Sequence, residues 1–204
     1  MLIRITVYDE MKMGCRIRHY YINGRVKFME FKDLIKERRS VRAYSEGKEI
    51  SNELIEEIIT EAYQAPSWKN SQTARYYVAN TPEAIEKVRK ALPEFNNRSS
   101  ANAALVITTF VKDISGFNAG VAENELSNKW GAYDLGLNNA YFVLAAKERG
   151  LDTLIMGLRD ANALREEFNI PKTEQITAVI ALGYGVNQPA PRADRAVGEV
   201  ARFL

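Results

Sequence analysis

Three arginines and a serine stand close together in the segment Arg38-Arg39-Ser40-Val41-Arg42. A guanidinium group is planar, permanently charged and able to donate two parallel hydrogen bonds to a phosphate, and Ser40 adds a short hydroxyl donor. The segment is therefore a candidate site for a small anionic ligand. The alternative, for such a run taken alone, is a solvated basic helix end that satisfies terminal carbonyls and the helix dipole.

A second polar segment, Ala65-Pro66-Ser67-Trp68-Lys69-Asn70-Ser71-Gln72, follows a predicted helix and precedes a predicted strand. Asn70 and Gln72 each carry amide donors and an acceptor, which suits the mixed hydrogen-bonding edge of a heterocycle such as an isoalloxazine. Pro, Ser and Asn also make turns for purely local reasons, so the segment taken alone is more typical of a loop.

Two glycine-bearing segments and two tail arginines give weaker signals. In Met156-Gly157, which ends a predicted strand, the glycine permits close approach to a flat ligand, although a simple strand-ending turn explains it as well. Gly183-Tyr184-Gly185 lacks the full dinucleotide fingerprint and its helix. Arg192 and Arg195 either add charge to a phosphate site or keep an exposed tail soluble.

Helices and strands that alternate along the chain must position these segments. Helices are predicted from Phe31, from Ser51 as N-cap, from Thr81-Pro82 up to Pro93, over 124–149 and over 160–168. Strands are predicted over 75–79, 103–111, 151–156 and 176–182. The longest helix is expected to bury Trp130, Tyr133, Leu137, Tyr141, Leu144 and Ala145. Alternation without an internal repeat predicts an α/β layered domain with a mixed sheet.

Composition limits the classes of function. The chain has 204 residues, 46% of them hydrophobic, which predicts one compact domain with a sizeable core. Its net charge of +2, from 28 basic and 26 acidic residues, gives no broad field for nucleic acid or for an anionic membrane. A nucleic-acid site in which tyrosines stack on bases is therefore disfavoured. Without an apolar span or a cleavable leader, a cytoplasmic location is expected.

Residues 1–30 differ from the rest because they alternate apolar and basic stretches without a helical period. Either they form a real arm that adds a strand or wraps a partner, or translation begins at Met29. A single domain is expected over residues 31–204. That domain would contain neither Cys15 nor His19, the one cysteine and the one histidine, so no metal site is expected. Its chemistry would come from a cofactor, or from carboxylates, amines and hydroxyls.

The order of these segments along one chain resembles the nitroreductase family. The resemblance is carried by RRSxR, then APSxxNxQ, a long helix ending in AAxxxGL, a strand ending in MG, and a terminal LGY before an arginine-bearing tail. It covers about residues 29–204. Thr73-Ala74 departs from the Pro-Trp that the family often has after the glutamine, which leaves the subfamily open.

The resemblance implies an α/β (α+β) fold: a three-layer sandwich with a central mixed, mainly antiparallel sheet flanked by helices. Two chains would interlock as a homodimer with FMN at the interface. Hydride would pass from NADH or NADPH through flavin N5 to an electron-poor acceptor, such as a nitroaromatic or a quinone, by a ping-pong mechanism without a catalytic side chain. The alternative is a flavin-binding protein for sensing, storage or flavin fragmentation.

The resemblance also assigns the site. The FMN phosphate, ribityl chain and pyrimidine edge would be held by Arg38, Arg39, Ser40 and Arg42. The flavin would also be met by Ser67, Asn70 and Gln72, with Ser67 from the partner chain. The isoalloxazine would lie against Ile155, Met156 and Gly157. Arg192 or Arg195 would add to the phosphate site, and the acceptor side would be lined by Trp68, Phe117 and Trp130. An aromatic residue on an apolar helix, such as Trp130, is also typical of a core.

Overall fold

The computed structural model describes residues 5–12, 15–22, 25–27 and 30–204, and the chain divides after Glu37 into two compact units. The first unit holds three antiparallel strands, β1 (Ile5–Lys12), β2 (Cys15–Ile22) and β3 (Arg25–Lys27), and the helix α1 (Phe31–Glu37). Met29, the alternative start of translation, lies outside the described residues. A domain that begins at residue 31 stays a prediction.

The second unit, Arg38–Leu204, alternates helices with the strands of a sheet. Its helices are α2 (Asn52–Ala62), α3 (Pro82–Lys90), α4 (Glu94–Ser99), α5 (Lys129–Glu148), α6 (Ala161–Glu167) and α7 (Val197–Val200). Its strands are β4 (Ala74–Ala79), β5 (Ala104–Val111), β6 (Phe117–Asn118), β7 (Val121–Ala122), β8 (Asp152–Met156) and β9 (Glu174–Gly183). A short 3₁₀ turn covers Trp68–Asn70.

Four strands form the central sheet in the order β4-β5-β9-β8, and each neighbouring pair is antiparallel. The two inner strands, β5 and β9, are buried along nearly their whole length, as their apolar composition predicts. One parallel bridge, from Ser40 to Thr153, adds a further segment at the edge strand β8. The predicted α/β fold with a mainly antiparallel sheet is confirmed.

Hydrophobic clusters lie on both faces of this sheet, because successive side chains of a strand point to opposite sides. On one face Leu105 and Ile107 of β5 pack in a cluster with Leu164 of α6. On the other face Val106 packs in a cluster with Phe142 of α5 and with residues of α2. The sheet is therefore the middle one of three layers.

Local signals located the starts of α2 and α3. Ser51 accepts a hydrogen bond from the N–H of Leu54 at 3.2 Å, and Thr81 caps α3, whose first residue is proline. The helix α4 was missed, because Pro93 was interpreted only as the end of α3. Asn96 of α4 is buried, and its side-chain amide donates to the carbonyl of Leu158 at 2.8 Å, which compensates the burial of this polar group.

The predicted buried face of α5 was partly wrong: Ala145 is buried as expected, but Trp130, Leu137 and Leu144 are only half-buried. Tyr133 is 60% exposed and Tyr141 is 44% exposed, whereas Asp134, Leu135 and Phe142 are buried. The helix is apolar around most of its circumference, so periodicity alone could not choose the inward face. The inward face of α5 also carries polar side chains, and polar residues in a sequence predict exposed positions. In the structure these side chains are hydrogen-bonded, which compensates their burial. The outward face of α5 therefore presents large aromatic residues to solvent.

Candidate functional site

The arginine-bearing segment, residues 38–42, runs beside the edge strand β8. Ser40 bridges to Thr153, and the N–H of Val41 donates to the carbonyl oxygen of Thr153 at 3.0 Å. Val41 is buried in the core, whereas Arg38 and Arg39 are half-buried and the residues on either side of Val41 are exposed. The backbone and one apolar side chain thus fix a segment whose charged groups remain accessible.

The turn after β9 holds the other side of this segment. Tyr44 bridges to Gly185, and the N–H of Ser45 donates to the carbonyl of Tyr184 at 2.8 Å. A Cβ atom at Gly183 would lie 2.7 Å from Cδ1 of Tyr44, closer than real Cβ atoms approach. Close packing inside the domain therefore accounts for the glycines of Gly183-Tyr184-Gly185. A bound nucleotide is not needed to explain them.

Positive charge accumulates around Arg38. Partial burial lowers the pKa of Arg38, and the neighbouring charges of Arg39 and Arg192 lower it further. Arg38 is therefore repelled by Arg39 and by Arg192. An anion bound among them would relieve this repulsion, because a nearby opposite charge favours the charged form of each group.

The two tail arginines, which the sequence could not rank, differ in their surroundings. Arg192 acts electrostatically on Arg38, although its Nε also lies 3.1 Å from the carboxylate of Asp194. Arg195 instead forms an exposed ion pair with Glu199 of α7 at 3.4 Å. Arg192 is therefore the better candidate for a shared anion site.

The second polar segment forms a compact turn between α2 and β4. Oγ of Ser67 accepts a hydrogen bond from the N–H of Gln72 at 3.0 Å, and Nε2 of Gln72 donates to Oδ1 of Asn70 at 3.0 Å. Asn70 and Gln72 are exposed, and Ser67 is half-buried. The structure thus brings the three candidate residues of this segment together on one accessible turn.

The backbone of this turn is strained. Lys69, Asn70 and Gln72 have φ values of +47°, +54° and +49°, in the left-handed region. That region costs a non-glycine residue about 1–2 kcal/mol, although asparagine tolerates it better than most. Such conformations persist only where the surroundings hold them, and they cluster at ligand sites.

An aromatic cluster adjoins the turn. The ring centroids of Trp68 and Trp130 are 4.7 Å apart, and those of Trp130 and Tyr133 are 5.5 Å apart. Gly116 packs against Trp130, since a Cβ atom there would lie 2.6 Å from Cδ1 of the indole, and Phe117 follows it half-buried. Trp68 and Trp130 are themselves half-buried. This cluster is therefore a partly exposed surface and not an enclosed core.

The end of β8 presents a second accessible surface. Ile155 is 49% exposed, and Gly157 is exposed with no atom within 4 Å of an added Cβ. Met156 is 2% exposed and belongs to the core, so it can offer a ligand only its backbone. Arg159 fixes this strand end by donating to the carbonyls of Gly157 at 3.0 Å and Ile176 at 2.6 Å.

Different elements hold the two groups of candidate residues. The arginines lie beside β8 and the turn after β9, whereas the turn of residues 67–72 is tied to α5. Asp134 of α5 makes that tie by accepting a hydrogen bond from the N–H of Trp68 at 3.0 Å. Asp134 was missed in the sequence, although an acidic residue inside an otherwise apolar stretch of helix was an available signal.

The donors of both groups are guanidinium, hydroxyl and amide groups. Among the residues that the structure describes, no group of His, Cys, Asp and Glu could hold a metal ion. Within the same described ranges, no helix is long and apolar enough to cross a membrane. The arrangement suits a ligand that combines a phosphate with a flat heterocycle.

Residues 35–184 match the family model described as the nitroreductase family. A Bacillus subtilis protein assigned as the NAD(P)H nitroreductase YdgI is 29% identical over 189 residues, covering 78% of this chain and 90% of that protein. An Archaeoglobus fulgidus protein assigned as an NADH dehydrogenase/NAD(P)H nitroreductase is 30% identical over 159 residues, covering 74% and 83%. A shorter match joins 37% of this chain to the CLA biosynthesis enone reductase of Lactiplantibacillus plantarum, at 32% identity.

Solved structures share the fold. An Exiguobacterium sibiricum protein assigned as a nitroreductase, solved in complex with FMN, superposes with a TM-score of 0.77 at 21% identity, covering 86% of this chain and 97% of that chain. The enone reductase CLA-ER superposes with a TM-score of 0.76 at 21% identity, covering 87% and 100%. At such identities the likeness is one of fold.

Proposed function

Since the chain belongs to the nitroreductase family, we propose that it is an FMN-dependent oxidoreductase that passes hydride from NADH or NADPH to an electron-poor acceptor. One observation carries the proposal. The bridge from Ser40 to Thr153 holds the arginine-bearing segment beside β8, Arg39 and Arg192 both act on the charge of Arg38, and the far end of β8 exposes Ile155 and Gly157. A phosphate among the arginines and a flat ring near the strand end would make use of both features.

The side chains present fit FMN in their chemistry. The phosphate would be held by charged and hydroxyl donors: Arg38, Arg39, Ser40, Arg42 and Arg192. Ser67, Asn70 and Gln72 offer the neutral donors and acceptors that the polar edge of the ring needs. Ile155 and the backbone of Met156 and Gly157 would lie against the ring. Arg192 ranks above Arg195 because its charge acts on Arg38.

The homodimer of this proposal has α5 at its interface. Tyr133 and Tyr141 of α5 are exposed, and the small residues Gly136 and Ala140 are exposed between them. Exposed apolar residues gathered on one face are typical of a surface that another chain covers. Pairing of two α5 helices would cover this face and would let Ser67 reach FMN from the partner chain.

When bound, FMN supplies the hydride-transfer chemistry between the nicotinamide and the acceptor. The chain's own residues bind and orient, bringing the reacting atoms to about 3–3.5 Å of each other. Arg42 would stabilise negative charge that develops at the pyrimidine edge, and no side chain is assigned a catalytic role. Trp68 and Trp130 would exclude water from the acceptor side. A single site used in turn by donor and acceptor predicts ping-pong kinetics.

Acceptors are proposed by class. Nitro compounds follow from the names of the relatives, and enones from the CLA enone reductase among the matched proteins. Quinones are included as electron-poor acceptors of the same kind. The preference between NADH and NADPH stays open, because the chain carries no dinucleotide fingerprint to compare. A cytoplasmic location stays a prediction from the sequence.

Steady-state kinetics test this proposal. The FMN-loaded protein should oxidise NADH or NADPH rapidly only when a nitroaromatic, a quinone or an enone is present. Double-reciprocal plots at several acceptor concentrations should be parallel, because donor and acceptor use one site in turn. A protein that binds FMN but fails to turn over with any of the three classes would be a flavin-binding protein for sensing, storage or fragmentation, and the proposal would be wrong.

A further inference from the structure

Asp134 of α5 is a buried carboxylate that bonds to neutral donors. It is 3% exposed, and its Oδ2 accepts from the N–H of Trp68 at 3.0 Å and from Oγ of Ser115 at 2.7 Å. The two neutral donors compensate the charge of Asp134, and no cation of the described part of the chain pairs with it. A buried carboxylate held in this way is expected to be costly to replace by an apolar residue.

Ser115 extends the reach of this carboxylate. It is 1% exposed, and its single hydroxyl proton is donated to Asp134, because an ionised carboxylate can only accept. Ser71, whose Oγ lies 2.8 Å from that of Ser115, must therefore donate to it. Thr73 Oγ1 lies 3.3 Å away from the same oxygen. One carboxylate thus anchors the chain at Trp68, Ser71 and Thr73.

These anchors bracket the strained backbone. Lys69 and Asn70 lie between the anchors at Trp68 and Ser71, and Gln72 lies between Ser71 and Thr73; all three have positive φ. Of the exposed side chains of the turn, Gln72 bonds to Asn70, and Lys69 forms a partly exposed ion pair with Glu123 at 2.8 Å. An exposed ion pair contributes about 0–1 kcal/mol, so it holds the turn only weakly. The hydrogen bonds to Asp134 and Ser115 link it instead to buried groups of the domain.

We propose that Asp134, acting through Ser115, is a positioning residue that holds the turn of residues 67–72 in its FMN-binding shape. The inference rests on the proposed function and adds to it a residue that touches neither cofactor nor substrate. Without this anchor the turn relaxes from its left-handed conformations, and Ser67, Asn70 and Gln72 no longer converge.

Two substitutions separate the hydrogen bonds from the charge. In Asp134→Asn one amide oxygen can take the place of Oδ2 and accept both bonds, whereas Asp134→Leu removes both acceptors. The matched control is Asn139→Leu on the same helix, since Asn139 is also buried but donates to Thr108 and not to the turn. Ser115→Ala serves as a milder variant that keeps the bond from Trp68 to Asp134.

The readouts are FMN affinity and the circular dichroism of the apoprotein. Trp68 and Trp130, at 4.7 Å, should give an exciton couplet that reports the position of the turn without any flavin. Asp134→Leu should lower FMN affinity about tenfold or more, because it removes two hydrogen bonds to a charged group. It should also reduce the couplet. Asp134→Asn and Asn139→Leu should keep both readouts near wild type, and Ser115→Ala should lie between.

Each arm of the test has a distinct meaning. Normal FMN affinity and an unchanged couplet in folded Asp134→Leu would overturn the inference, while the proposed function stood. If Asp134→Leu fails to fold, Ser115→Ala decides by the same two readouts. A wild-type protein that does not bind FMN would end the proposed function, and the couplet would still show whether Asp134 holds the turn.

Discussion

Ser40 pairs in parallel with Thr153, two residues before Ile155 on the same strand. This bridge places the arginine-bearing segment and the exposed end of β8 along one edge of the sheet. Residues of one β-strand rise about 3.3 Å each, so the two surfaces lie within the length of one nucleotide-sized ligand. We therefore expect that a substitution near the arginines can weaken binding of the FMN phosphate without weakening binding of the flavin ring.

Arg38→Ala should weaken FMN binding about tenfold or more, because a charge-assisted hydrogen bond contributes roughly 1.5–3 kcal/mol. Binding of riboflavin, which has the same ring but lacks the phosphate, should change far less. Calorimetric titration of the apoprotein with each ligand measures the difference.

Arg98→Ala is the matched control for that titration, because Arg98 is an exposed arginine of α4 that pairs with Glu94. It should bind both ligands as the wild type does. Equal losses of FMN and riboflavin affinity in Arg38→Ala would show that Arg38 supports the fold and does not hold the phosphate.

Tyr141→Asp should convert the dimer to monomers and lower FMN occupancy. The carboxylate would place a charge on the exposed apolar face of α5, where dimer formation would have to desolvate it. Light scattering after gel filtration gives the mass, and the visible spectrum gives the bound flavin. Phe95→Asp, at a 59% exposed aromatic residue of α4, should change neither quantity. A dimeric Tyr141→Asp protein would place the interface elsewhere.

Trp130→Ala should change the acceptor preference while leaving bound FMN unchanged. Trp130 contacts Trp68 with its ring tilted by 50° and is half-buried, so its removal reshapes an accessible surface next to the turn. The measurement is kcat/KM for a quinone relative to a smaller nitroaromatic. The same substitution at Phe117 tests the neighbouring position. Loss of flavin from either variant would indicate a structural role for that aromatic residue.

The stability of the fold should fall between about pH 10 and pH 12, partly through Tyr77. Burial, together with its hydrogen bond to the Glu174 carboxylate, raises the pKa of Tyr77 from 10.0 to about 12. In this window the unfolded chain has already released the phenol proton that the native state retains, so the free energy of unfolding decreases as pH rises.

Tyr77→Phe should flatten this decline, as measured by denaturant unfolding at several pH values. Burial also raises the pKa of Tyr44 and Tyr76, and both remain in the variant, so the difference between the two profiles isolates Tyr77. Identical slopes for Tyr77→Phe and wild type would show that the phenol does not ionise differently in the native state.

Features with local signals could be predicted from the sequence. Ser51 and the Thr81-Pro82 pair marked helix starts because capping depends on neighbouring residues. The inner strand β5 was evident from its run of apolar residues. The arginine-bearing segment and the polar turn were recognised because each is continuous in the chain.

Features that depend on tertiary contacts could not be predicted. The inward face of α5 includes Asp134 with its buried hydrogen bonds, which a pattern of apolar residues cannot reveal. Lys69 and Gln72 are left-handed although neither is a glycine, so the sequence carries no local signal for these conformations. The choice of Arg192 over Arg195 required their positions relative to Arg38, far away in the chain.

The central claim is that this chain binds FMN, and the most direct test is the visible spectrum of the protein purified without added cofactor. Any yellow ligand is then released and identified by its mass. The account predicts FMN at about one molecule per chain, because each chain supplies one group of arginines proposed to hold the phosphate and one polar turn. A colourless protein that also fails to bind added FMN would contradict it.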